Sequence, residues 1–169
     1  MHELVSRSAA RTESIGEDLA ARLEPGNLVL LEGDLATGKT TLVRGLVRGL
    51  GGDDAEVTSP TFVLVQSYPC PGAVRVLHHV DLYRLADAGK DAFRELGLEE
   101  LLSDPSAVVA VEWPHREMLA RVPAGAAVIR VLIRILPNGS RGISITGSAG
   151  EHAPVDGNDG SGEPRGVRR

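Results

Sequence analysis

The chain has 169 residues, 42% of them hydrophobic and 24% charged, with a formal net charge of −5. That size and composition fit one globular domain whose core needs no disulfide staples, and the only cysteine, Cys70, has no partner to form one. The negative balance argues against a protein that grips nucleic acid alone by neutralising phosphates, so no strong direct nucleic-acid binding is expected. No run approaches the roughly 18 apolar residues of a membrane span, which argues against a membrane partner.

From the N-terminus, MHELVSRSAARTESIGEDL lacks the long apolar stretch of a signal peptide, and a cytoplasmic location is the default expectation. Thr12 to Leu23 is read as a helix. Ile15, Leu19 and Leu23 recur every four residues, and Thr12 or Ser14 is placed to cap the start. Pro25-Gly26-Asn27 is a turn. Leu28 to Leu31 is a short apolar run of the kind that is buried on both faces of a sheet. Thr40 to Leu50 is a second helix, ended by Gly51-Gly52. Phe62 to Tyr68 and Val74 to Val80 read as strands joined through Pro69, Pro71 and Gly72. Glu95 to Leu102 is a short helix. Ala107 to Val111 is another buried apolar run, ending at Glu112. Pro114 opens a helix through Met118 to Arg121. Ala126 to Leu136 and Gly142 to Ile145 form a hairpin across Pro137-Asn138-Gly139. After Thr146 the chain is rich in Gly, Pro and Asp and almost without large apolar residues. Residues 1–146 are therefore read as one folded domain and 147–169 as a disordered tail, because such a segment cannot offset its ordering entropy.

Between the first apolar run and the helix that follows lies Gly33-Asp34-Leu35-Ala36-Thr37-Gly38-Lys39-Thr40, which fits the phosphate-loop pattern G-x-x-x-x-G-K-[ST] in its required strand–loop–helix context. The glycines let successive amide N–H groups curl toward phosphate oxygens, and the helix N-terminus adds unsatisfied amides and a positive dipole end. Lys39 is placed to reach the β- and γ-phosphates, with Thr41 on the same helix turn. The Thr40 hydroxyl is placed to ligate Mg2+. The 18 basic residues comprise 16 Arg and two Lys, Lys39 and Lys90. A lysine retained in that background marks a site where a compact ammonium suits and a guanidinium fork does not.

Hydrolysis needs an acid near the metal and an oriented water. Asp81 ends VLHHVD and Glu112 ends VVAVE, each at the close of an apolar run. Either acid serves for Mg2+, directly or through water, and ordinary charged strand ends remain an alternative on spacing alone. Thr58-Ser59-Pro60-Thr61-Phe62 offers hydroxyls for a switch loop that senses the γ-phosphate. Adjacent His78 and His79 would point to opposite sides of a strand, and with His115 they do not make a metal-ligand spacing. Trp113, one of five aromatics, reads better as core packing than as a site residue.

Taken in order, GDLATGKTTLVRGL, VTSPTFVLVQSY, HVDLYRL and VEWPHRE resemble the bacterial tRNA threonylcarbamoyladenosine biosynthesis family TsaE over roughly Thr12 to Ile145. The resemblance implies a P-loop α/β fold with a mainly parallel sheet and antiparallel hairpin additions. It implies Mg2+-dependent ATP hydrolysis that drives turnover of a TsaB–TsaD complex, through which tRNA is met indirectly. By motif position Lys39 and Thr40 match the loop lysine and the Mg2+ hydroxyl, and Thr61 the switch threonine. Asp81 matches the acid near Mg2+, and Glu112 the acid important for hydrolysis. Thr12 falls near the nucleotide base. The family usually has Gly-Ala where this chain has Ala36-Thr37, and Ala36 suits the loop only if that position needs no positive φ. A small-molecule kinase, for which Arg84 is available and Arg94 precedes a short helix but no clear lid segment stands out, and a nucleotide-dependent binding module with little hydrolysis are the competing readings.

Overall fold

The computed structural model describes residues 2–61, 63–85 and 90–147; the expected tail, apart from Gly147, lies outside them, as does Phe62. The elements run β1 (His2–Ser6), α1 (Ala9–Ala20), β2 (Leu28–Glu32), α2 (Lys39–Gly49), β3 (Val65–Pro69), β4 (Val76–Asp81), α3 (Lys90–Glu95), α4 (Leu98–Leu102), β5 (Ala107–Glu112), α5 (Arg116–Leu119), β6 (Val128–Ile135) and β7 (Arg141–Thr146). Short 3-10 turns lie at Asp54–Glu56 and Tyr83–Leu85. Among the described residues the strands form one sheet in the order β1-β7-β6-β2-β5-β4-β3. Its centre, β4-β5-β2-β6, is parallel, while β3 on one side and β7 and β1 on the other pair antiparallel. The fold is the expected α/β class.

β2 forms at the centre because all its apolar side chains find a core. Val29 and Leu31 pack with Ile15 and Leu19 of α1 and Leu42 and Leu46 of α2 on one face. Leu28 and Leu30 pack with Phe93, Leu98 and Met118 on the other. Full burial of a leucine contributes about 2 kcal/mol, so a run inward on both faces is strongly fixed in this register. α2 carries the chain from β2 over one face toward β4 and β3. α5 leads from β5 back past β2 to β6. The connections thus diverge at β2, and the carboxyl ends of β2, β4 and β5 border the crevice where α/β sheets place ligands.

Several boundaries differ from the sequence reading. α1 starts at Ala9 rather than Thr12, because Ser8 is the cap: its hydroxyl accepts the Arg11 N–H at 3.1 Å. Leu23 keeps its place in the core but lies past the helix end. The helix expected from Glu95 to Leu102 is two pieces, divided at Gly97 with φ +66. β1 was not foreseen; it is the outer strand beside β7.

The α1–α2 contact depends on glycine. A Cβ built on Gly45 would lie 2.0 Å from the Glu13 carbonyl oxygen and 2.7 Å from its carbon, both backbone atoms of α1. Gly45→Ala is expected to destabilise the fold by about 3 kcal/mol, because overpacking against backbone outweighs alanine's helix-propensity gain of about 1 kcal/mol. Urea unfolding at constant m-value checks this.

Candidate functional site

The loop between β2 and α2 lies at the carboxyl end of the sheet's central strand, bent by glycines in the left-handed region. Gly33 has φ +141 and Gly38 φ +110. A side chain at Gly33 would meet the Ile133 carbonyl oxygen of β6 at 2.3 Å, so the first loop glycine is needed for close approach as well as for its backbone angle. Ala36 has φ +60. The condition set by the sequence is therefore not met: this position does take positive φ, at about 1 kcal/mol of strain for a residue with a Cβ. The loop is curled nonetheless.

Lys39 is 4% exposed. Its Nζ donates to the carbonyls of Gly33 (2.9 Å) and Asp34 (2.8 Å) and sits 4.1 Å from the Trp113 ring centroid. An ammonium has three N–H donors, so these two bonds leave one for a ligand. Burial holds the Lys39 ammonium below its ordinary pKa, and the charges of Glu112, Asp81 and Asp34 pull it back upward.

The two candidate acids come together by strand register. Asp81 at the end of β4 is the in-register neighbour of Glu112 at the end of β5, and both are buried. Glu112 Oε1 accepts from the Thr40 hydroxyl at 2.8 Å and pairs with His79 Nε2 at 2.9 Å. A carboxylate oxygen accepts, so Nε2 is the nitrogen that donates to Glu112, while His79 Nδ1 is buried without a partner among the described residues. Asp81 Oδ2 accepts from the Thr61 hydroxyl at 2.6 Å and from Ser59 at 3.4 Å, while Oδ1 accepts the Tyr83 N–H at 2.9 Å. The polar segment before β3 is thereby tied to the acid on β4.

These groups line a cavity of about 410 Å3. Of the residues expected from sequence, Leu35, Ala36, Gly38, Lys39, Thr40, Thr41, Thr61, Asp81 and Glu112 form its wall; Ser59, Tyr83 and Trp113 complete it. Gly33, Asp34 and Thr37 lie behind, shaping the loop. Thr12 does not reach the cavity wall. Its hydroxyl is engaged with Ser6 Oγ at 2.8 Å and the Ser8 carbonyl at 3.3 Å, and its methyl would lie 3.8 Å from a Cβ placed on Gly38. Trp113, read from the sequence as core packing, lines the cavity. It has φ +59, and this turn after β5 brings the indole over Lys39 and beside the Tyr83 ring, centroids 4.9 Å apart. The two histidines do part as expected: His78 bonds Ser67 on β3 at 2.8 Å, whereas His79 is fully buried on Glu112.

The donors fit a phosphate-borne Mg2+. That ion takes oxygen ligands, keeps several waters and usually relies on one or two carboxylates plus substrate phosphates. Thr40, Asp81 and Glu112 offer oxygen alone. Among the described residues no cluster of three or more His, Cys, Asp or Glu forms a protein-only metal cage. No helix among them is long and apolar enough to cross a membrane.

The chain is 50% identical over 99 residues to the tRNA threonylcarbamoyladenosine biosynthesis protein TsaE of Streptomyces coelicolor, a match covering 59% of this chain and 64% of that one. It is 38% identical over 141 residues to the protein of the same description from Treponema pallidum, covering 83% and 97%. The crystal structure of YdiB from Bacillus subtilis superposes with a TM-score of 0.63 at 28% identity, over 88% of this chain and 86% of that one. The family model described as threonylcarbamoyl adenosine biosynthesis protein TsaE matches residues 6–141, and with these matches the chain belongs to the TsaE family.

Proposed function

We propose that residues 1–146 are a Mg2+-dependent ATPase domain that supports formation of N6-threonylcarbamoyladenosine in tRNA, acting with TsaB and TsaD in the cytoplasm and meeting tRNA only through that complex. The single observation that carries the reading is the convergence of Lys39, Thr40, Asp81 and Glu112 on one cavity at the carboxyl end of the parallel strands. In this reading the loop amides from Gly33 to Gly38 cradle the phosphates, with Asp34, Leu35, Ala36 and Thr37 supplying backbone. Lys39 turns its remaining N–H to the β- and γ-phosphates. Thr40 and Asp81 hold Mg2+, Glu112 is the acid that directs the attacking water, and Thr61 reports the γ-phosphate to the segment before β3. The metal, when bound, neutralises charge developing on the phosphate oxygens.

Hydrolysis by the chain alone is expected to be slow, because phosphate-loop domains often rely on a partner to complete charge stabilisation in the transition state. The test measures ATP turnover with and without TsaB–TsaD, together with a pull-down of that complex in the presence and absence of ATP. Stimulation by the complex and ATP-dependent capture are the expected results. Stimulation by a nucleoside or small alcohol, with no response to TsaB–TsaD, identifies a kinase instead.

A further inference from the structure

We propose that Thr37 and Arg141 are positioning residues that hold the phosphate loop, strained at Ala36, in the form that receives a nucleotide; this rests on the nucleotide reading above. The turn from Asp34 to Thr37 is closed poorly by backbone, with the Thr37 N–H 3.4 Å from the Asp34 carbonyl oxygen. The Thr37 side chain closes it better: its hydroxyl donates to the same oxygen at 2.9 Å, and the residue is 1% exposed. Inside that turn Ala36 is held at φ +60.

Arg141, at the start of β7, fixes the other end. Its Nε donates to the Thr37 carbonyl at 3.3 Å while Nη1 donates to the Gly139 carbonyl at 2.7 Å, which ties the loop to the β6–β7 hairpin. In a trans peptide the carbonyl and the following N–H point to opposite sides. Holding the Thr37 carbonyl toward Arg141 therefore turns the Gly38 N–H away from Arg141. Gly38 lines the cavity and Arg141 does not, so the tie aims an amide at the place where phosphate binds. A hydroxyl and a distant guanidinium thus do what a glycine at position 36 would do by removing the strain.

The experiment measures ADP affinity by calorimetry, ATP kinetics and melting temperature on the full chain. Loss of one hydrogen bond of ordinary net worth is about fivefold in affinity. Thr37→Ala is expected to weaken ADP about fivefold and to raise KM with little change in kcat, whereas Thr37→Ser keeps wild-type affinity. Arg141→Met is expected to weaken ADP about threefold, because its bond is the longer one. The double change Ala36→Gly with Thr37→Ala, which removes the Cβ that strains the turn together with the hydroxyl that closes it, is expected to recover affinity to about wild type, since the two positions share one turn. Wild-type ADP binding that Thr37→Ala and Arg141→Met leave unchanged overturns the inference alone. So does a loss of affinity that follows melting temperature and persists in the double variant. A wild-type chain that binds neither ADP nor ATP overturns the nucleotide reading and the inference with it.

Discussion

Lys39→Ala is expected to weaken ATP binding about a hundredfold, the equivalent of roughly 3 kcal/mol for a lost charge-assisted phosphate contact. The native side chain is held in place without any ligand. Two of its N–H bonds are fixed on Gly33 and Asp34 carbonyls, so little rotamer entropy is left to lose when the ligand arrives. The same substitution has opposing effects on stability. It removes a buried ammonium whose desolvation is unfavourable, and it takes donors from two loop carbonyls. The Asp34 carbonyl keeps its bond from Thr37, so melting temperature should move by only a few degrees. Calorimetry beside a thermal melt separates the two effects. ATP affinity close to wild type would contradict the phosphate-cradle assignment.

Glu112→Gln is expected to slow ATP hydrolysis by about a hundredfold or more, the lower range for removing a positioned acid–base group, while changing ATP affinity only a few-fold. The amide oxygen can still accept from Thr40 and His79, which bond the same carboxylate oxygen in the native chain, so the wall of the cavity should survive. Single-turnover hydrolysis measured beside equilibrium binding provides the check. Unchanged turnover would favour a nucleotide-dependent binding module in which the acid only tunes affinity.

The parts of the site that were legible in the sequence are those whose chemistry is local. The glycine–lysine pattern follows an apolar run and opens a helix, and the two acids each close an apolar run, so loop and acids stood at element boundaries before any contact was known. What stayed hidden depends on distant partners or on backbone angles. Ala36 gives no local sign of its positive φ, because the angle comes from the closed turn around it. Trp113 looked like packing because aromatics usually are; the left-handed residue after β5 sends it into the cavity. His79 could be placed opposite His78 by strand alternation, but its bond to Glu112 needs the β4–β5 register. Arg141 carries no motif and reaches Thr37 across 104 positions of chain. β1 lacks a signal for the same reason: its five residues are strand because β7 offers them an edge.

The pairing of Asp81 with Glu112 across β4 and β5 makes their separation a property of strand spacing, about 4.8 Å between neighbouring backbones, rather than of the chain that joins them. Insertions between the two strands that leave Tyr83 in the cavity wall and Phe93 and Leu98 in the core should therefore be tolerated, as a ruler is indifferent to the thread tied between its marks. A single residue removed inside β5 is another matter. It would turn Glu112 to the opposite face of the sheet, and one acid would be left measuring nothing.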